Sequence, residues 1–184
     1  MARTPTTQIP LGFKAPDFLL VDVTSSIKTT LKDVSKKNGL VVMFICNHCP
    51  FVVHVLEQIL ALGSDYLIKD IGFVAISSND VINYPDDSPE KMKELAKNYN
   101  FPFPYLYDPT QEVAKNYDAA CTPDFSVFDG ELKCIYRGQL DNSRPGNKEP
   151  VNGKDLRLVL DLLLKNKKID FIQKPSIGCN IKWK

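Results

Sequence analysis

Apolar positions along the chain fall into two patterns. Leu40-Val-Val-Met-Phe-Ile45 is a continuous apolar run, short, β-branched and preceded by Asn38-Gly39. Such a run reads as a buried central strand rather than a helix. Phe73-Val-Ala-Ile76 reads the same way. Between them, Val52, Val55, Leu56, Ile59 and Leu60 recur at three- and four-residue steps, which puts them on one helical face. Strand, helix and strand make a βαβ unit, for which a right-handed connection is expected.

The pattern continues downstream. Ser88-Pro89 suits a helix start, with Met92, Leu95, Ala96 and Tyr99 facing inward. Phe103–Tyr107 predicts a short strand and Thr110–Tyr117 a short helix. Phe125–Phe128 and Leu132–Tyr136 are joined through Asp129-Gly130, a hairpin signal. Alternation places Cys134 on one strand face with Leu132 and Tyr136, in the core. A last helix carries Leu156, Val159, Leu160 and Leu163. Ala15–Leu20 reads as an entry strand or extended segment, residues 1–14 as an N-terminal arm, and residues 174–184 as a C-terminal tail. Ile177, Ile181 and Trp183 predict that this tail docks. The element order predicts an α/β fold, a central mixed β-sheet flanked by helices on both faces.

Composition narrows the function classes. A chain of 184 residues fits one domain, residues 1–184, and 43% hydrophobic content can fill a core. Lys and Arg number 23 against 22 Asp and Glu, so the net charge of +1 argues against broad nucleic-acid binding. No run of about 18 apolar residues predicts a membrane span. The first residues lack the apolar stretch of a signal peptide, so a cytoplasmic location is expected. Phosphate-binding and dinucleotide-binding glycine motifs are absent, and no organic cofactor is implied. Five cysteines is an odd count. In a reducing compartment, paired cysteines are more often catalytic or metal-binding than structural.

The sharpest motif is Cys46-Asn-His-Cys49, where the first buried strand meets the first long helix. Two cysteines at this spacing can close a small disulfide ring. The expectation is that Cys46 lies at the helix N-terminus, where unpaired N–H groups favour a thiolate, the nucleophile of disulfide exchange. His48 inside the ring would tune that thiolate. A zinc site is the competing reading, but a closed one needs two more ligands, which only Cys121, Cys179 or His54 could bring by folding. No metal is assigned.

Cys121-Thr-Pro-Asp124 stands just before the hairpin. With CxxC after a central strand and Thr-Pro before an antiparallel hairpin, the chain resembles the thioredoxin superfamily. Ala15-Pro-Asp-Phe18 and the extra strand and helix before Thr-Pro are similar to its peroxiredoxin-like branch, the relatives of alkyl hydroperoxide reductase and thiol-specific antioxidant. Phe44–Phe51, Tyr136–Asp141 and Gly178–Trp183 resemble a subgroup that carries CxxC, and the likeness spans roughly residues 12–184. It implies a thioredoxin-like fold with an N-terminal extension and an inserted strand–helix unit. It also implies that Cys46 attacks, Cys49 resolves, and Pro123 is a cis-proline packed on the disulfide, with Thr122 and Pro123 holding substrate.

Departures from the family shape the expected function. Peroxiredoxins carry Pro and Thr or Ser upstream of the peroxidatic cysteine. Aligning Cys49 with that cysteine puts Val42 and Cys46 at those positions. Arg137 and Arg144 are candidates to supply a cation. Thioredoxin's buried Asp corresponds to Leu40 and its Trp to Ile45. The leading expectation is a thiol–disulfide oxidoreductase acting on a protein or small-molecule disulfide and recharged by an external thiol reductant. The alternatives are an antioxidant thiol peroxidase using Cys49, and a non-catalytic redox or metal sensor. Cys121 and Cys179 are candidate accessory thiols, against the plainer reading of buried residues. Asp86-Asp87 reads as helix N-terminal charge, and Asp141 with Arg144 as a loop-fixing ion pair or anion site. A homodimer is compatible with the resemblance, but no interface is legible.

Overall fold

Alternation along the apolar run decides where the core lies. Val41 and Met43 enter one hydrophobic cluster and Leu40, Val42 and Phe44 the other, and all five are buried. A strand buried on both sides needs a layer on each.

The computed structural model describes residues 3–184. In order they form β1 (Arg3–Pro5), β2 (Leu19–Asp22), β3 (Lys28–Thr30), α1 (Leu31–Val34), β4 (Gly39–Phe44), α2 (Pro50–Leu67), β5 (Ile71–Ser77), α3 (Pro89–Asn98), β6 (Tyr105–Tyr107), α4 (Glu112–Asn116), β7 (Cys121–Thr122), β8 (Asp124–Phe128), β9 (Cys134–Gly138), α5 (Lys154–Leu164) and β10 (Ile177–Asn180). A 3-10 turn, Pro85–Asp87, leads into α3. The large sheet runs β3-β2-β6-β5-β4-β8-β9. Its centre, β6, β5 and β4, is parallel and its flanks are antiparallel. Helices α2, α3 and α5 cover one face through residues such as Val52, Ile59, Met92, Ala96, Leu156 and Leu160. Leu31, Val34, Val113 and Ala114 of α1 and α4 cover the other. This is the thioredoxin-like mixed α/β arrangement.

Local chemistry explains several boundaries. Ser88 caps α3 by accepting the Lys91 N–H, with Pro89 in the first turn. Tyr99 does not face inward: it is the residue after α3, where the backbone leaves the helix, and it is 47% exposed. The hairpin forms, but Leu132 rather than Gly130 takes the left-handed conformation, φ 61°, while the Asp129 carboxylate accepts the N–H groups of Glu131 and Lys133. The ladder pairs Val127 with Tyr136 and Phe128 with Cys134, so Ile135 is an extra residue. That bulge separates Cys134 and Tyr136 into different clusters, against simple alternation.

The two chain ends are part of the structure. Met1 and Ala2 lie outside the described residues. From Arg3 onward the expected arm is pinned: β1 pairs with β10, and the Gly12 and Ala15 N–H groups donate to the Cys134 and Leu132 carbonyls. The tail docks through β10, which pairs antiparallel with β7, placing Cys179 opposite Thr122 and Asn180 opposite Cys121. Gly178 permits this approach, because a Cβ there would stand 1.9 Å from the Thr122 carbonyl oxygen. Gly178→Ala should therefore destabilise the protein by about 1–3 kcal/mol, the usual cost of overpacking. Thermal unfolding of the variant measures this, and an unchanged midpoint would show that β10 is not held against β7.

Candidate active site: a thiol cluster at Thr122

The turn between β4 and α2 carries Ile45, Cys46, Asn47, His48 and Cys49. A residue before proline is driven out of the helical region, so Cys49, ahead of Pro50, is extended at φ −72°, ψ 119° and serves as N-cap. Its carbonyl accepts the Val52 and Val53 N–H groups. This corrects the expected placement of Cys46 at the helix N-terminus. Cys49 holds that position, and Cys46 lies in the turn before it.

A buried carboxylate shapes the turn. Asp87 Oδ1 accepts the backbone N–H groups of Asn47, 2.8 Å, and His48, 3.2 Å. Its Oδ2 accepts from His48 Nδ1, 2.6 Å, and Asn79 Nδ2, 2.8 Å. Because an ionised carboxylate only accepts, Nδ1 carries the proton of that bond. The His48 ring stacks on Tyr84, with centroids 5.6 Å apart, and Tyr105 donates to Asn47 Oδ1 at 3.2 Å. Asp87 is thus the turn's anchor rather than solvated helix-end charge, whereas Asp86 is exposed. Sequence reasoning missed this role, because nothing in an Asp-Pro-rich stretch shows which carboxylate turns inward. Cys46 Sγ, a His48 ring nitrogen and an Asp87 oxygen lie within 4.8 Å of one another. They are metal-ligand types, but both Asp87 oxygens are already committed to the turn.

Thr122 meets this turn from the other side. The Thr122–Pro123 peptide bond is cis. Thr122 Oγ1 lies 3.4 Å from Cys46 Sγ, and its carbonyl oxygen 3.1 Å from Cys49 Sγ. Its backbone partner is Cys179 of β10, so the edge where the resemblance places substrate is taken by the chain's own tail.

All five cysteines are buried thiols. Cys49 is pulled well below the ordinary thiol value. Hydrogen bonds to its sulfur from Cys46, the Thr122 hydroxyl and the Cys179 thiol and backbone N–H favour the anion, and together they outweigh burial. The Thr122 carbonyl favours the competing arrangement, in which Cys49 keeps its proton and donates, but it is one acceptor against several donors. Cys46 is pushed well up, first because it donates to Cys49, then by burial and by the Asp87 charge. The hydrogen bonds therefore favour the anion on Cys49 over Cys46, the reverse of the order expected from the sequence.

The remaining candidates separate clearly. Burial pushes the Cys179 thiol up to about 12, and its contact with Cys49 adds to this. Cys121, one residue from Thr122, turns to Thr6 Oγ1 at 3.9 Å and the Pro123 carbonyl at 3.7 Å, with its pKa raised by burial. His54 is elsewhere on α2, bonded to Ser143 Oγ at 2.8 Å. Arg137 is committed to the carbonyls of Thr7, Tyr117 and Asp118, and Arg144 to those of Asp141 and Ser143 and to Gln139 Oε1. Their hydrogen bonds thus go to groups other than Cys46 and Cys49. Asp141 fixes its loop through the N–H groups of Ser143, Asn152 and Gly153 rather than by an ion pair with Arg144.

Comparison with known proteins agrees with this picture. The Redoxin family model matches residues 10–156. The chain belongs to the Redoxin family. This redoxin sits in the thioredoxin superfamily, and family and thiol cluster together support a thiol redox function. An uncharacterized conserved protein from Geobacillus kaustophilus is 55% identical, with 100% of this chain and 97% of that one covered and a TM-score of 0.98. A hypothetical protein from Sinorhizobium meliloti 1021 is 44% identical, with 98% of each chain covered and a TM-score of 0.96. A thiol:disulfide interchange protein from Bacteroides sp., 16% identical, shares the fold at a TM-score of 0.66 over 85% of this chain and 91% of that one. A search of curated proteins gave no match.

Asp87→Asn keeps the shape of the anchor and removes its charge. Because that charge opposes a thiolate at Cys46, the Cys46 pKa should fall, and its alkylation rate should rise at lower pH than in the parent protein. Peptide-resolved alkylation across a pH series measures this. A profile that stays in place would remove Asp87 from the electrostatics of the pair.

Proposed function

We propose that this redoxin is a thiol–disulfide oxidoreductase whose redox unit is the Cys46–Cys49 pair. The observation that carries the reading is the arrangement of two thiols hydrogen-bonded to each other beside Thr122, with the anion favoured on Cys49. Cys46 lies on the side of the turn where Asn47 and His48 are partly exposed, which supports it as the attacking thiol. As it attacks, its proton passes to Cys49. Cys46 sulfur bonds to one sulfur of the substrate disulfide, and the other leaves as a thiolate. Cys49 returns the proton to the departing group, attacks Cys46 sulfur and expels the second substrate thiolate. The substrate gains two electrons, and the protein ends with a Cys46–Cys49 disulfide. An external thiol reductant must then restore the dithiol, consistent with a cytoplasmic setting.

His48, held by Asp87, tunes the charge beside Cys46. Ile82 is exposed two residues from Tyr84, which stacks on His48, and exposed apolar side chains in this segment suit a protein-sized disulfide partner. The interchange protein that shares the fold supports the same substrate class. Thr122, beside Pro123, would position the partner's sulfur through its hydroxyl next to Cys46, while β10 keeps its backbone edge.

One observation favours a second reading. The Cys49 anion is what a peroxidase would use, forming a sulfenate that Cys46 condenses to a disulfide with loss of water. The commitment of Arg137 and Arg144 to carbonyls weighs against it. Thiol trapping across dithiothreitol and glutathione buffers should find a reversible Cys46–Cys49 bond with a midpoint between about −270 and −120 mV. Cys46→Ser should abolish disulfide reductase turnover. Full turnover in that variant would refute the mechanism, and oxidation by peroxide far faster than by disulfides would transfer the assignment to the peroxidase.

A further inference from the structure

We propose that Cys179 is a third redox thiol, and that Cys49 exchanges its disulfide partner between Cys46 and Cys179. The inference deepens the proposed function and rests on it.

The geometry begins with register. Cys179 stands opposite Thr122 in the β10–β7 pair, and Thr122 is the residue whose carbonyl lies 3.1 Å from Cys49 Sγ and whose hydroxyl lies 3.4 Å from Cys46 Sγ. Three cysteines therefore converge on one residue. Cys49 is the middle one, since its sulfur is in hydrogen-bond contact with the thiols of both Cys46 and Cys179.

Cys179 is also held firmly. β10 is flanked by β1 on one side and β7 on the other. Beyond it, the Ile181 N–H donates to the Ala120 carbonyl, the Lys182 N–H to Asn79 Oδ1, and Ile181 is buried in the core. A buried thiol on a doubly paired strand is placed against Cys49 by the fold rather than by chance collision. The contrast with Cys121 is instructive. It lies on the neighbouring strand, but its sulfur faces Thr6 and Pro123.

The step balances without a further reagent. Starting from the Cys46–Cys49 disulfide left by substrate reduction, Cys179 sulfur attacks Cys49 sulfur. The Cys49–Cys179 bond forms and the Cys46–Cys49 bond breaks. The proton of Cys179 ends on the departing Cys46 sulfur. No electrons enter or leave, and the oxidised equivalent moves from the exposed side of the turn to the C-terminal strand.

The test uses the full chain, oxidised in a glutathione buffer series and digested after thiol trapping. Cys46 and Cys49 share one tryptic peptide, so a bond from either to Cys179 appears as a cross-link between that peptide and residues 169–182, and Cys46→Ser assigns it to Cys49. The expected result is a cross-link in the parent protein that persists in Cys46→Ser, oxidised with diamide, and disappears in Cys179→Ser. The Cys179→Ser protein should retain the Cys46–Cys49 bond. Absence of the cross-link from both the parent protein and Cys46→Ser, with the Cys46–Cys49 bond present, would overturn the three-thiol inference and leave the proposed function standing. A cross-link without any Cys46–Cys49 bond would support the role of Cys179 in disulfide formation but overturn its exchange with Cys46 and the proposed CxxC chemistry. Neither bond would overturn both.

Discussion

Thr122 is the point on which the site depends. Its hydroxyl faces Cys46, its carbonyl faces Cys49, and its backbone pairs with the strand that carries Cys179. One residue can do this because β7 is only two residues long. Its polar groups are therefore not consumed by a long ladder. A second constraint complements it. The Asp87 carboxylate, buried at the end of the 3-10 turn before α3, accepts four hydrogen bonds, three of them from Asn47 and His48 of the thiol-bearing turn. Burying a carboxylate is costly unless its oxygens are satisfied, so the turn is held in the one shape that satisfies them.

Much of the fold was legible because its signals are local or periodic. The buried strands β4 and β5, the face of α2, the cap of α3 and the hairpin each follow from residues close in sequence. Those that failed do not. β3 and α1 are too short for periodicity, although the Thr30–Asp33 capping box was readable. The bulge at Ile135 changes which face follows and leaves no mark in the alternation of apolar residues. β1 and β10 are strands because each supplies the other's hydrogen bonds across almost the whole chain.

The site divides in the same way. The CxxC spacing and the Thr-Pro pair could be singled out in sequence, but the location of the charge could not. It follows from where the helix begins, which Pro50 moves to Cys49, and from which thiols donate to which. Cys46 is local, but the other donors to Cys49 come from β7 and β10, more than seventy residues away in sequence. Asp87 was visible as one of two acids, yet only packing shows that it turns inward while Asp86 stays in solvent.

The tail is joined to the turn by two routes. One is the thiol contact between Cys179 and Cys49. The other runs from the Lys182 N–H to Asn79 Oδ1, and from Asn79 Nδ2 to Asp87 Oδ2. The first depends on the state of the Cys49 sulfur, and the second reaches the same turn through the Asp87 carboxylate. Closing a Cys46–Cys49 bond removes the anion that Cys179 solvates. The docking of the C-terminal strand and the redox state of the pair are then linked through the same sulfur, and by linkage whatever strengthens one must bias the other.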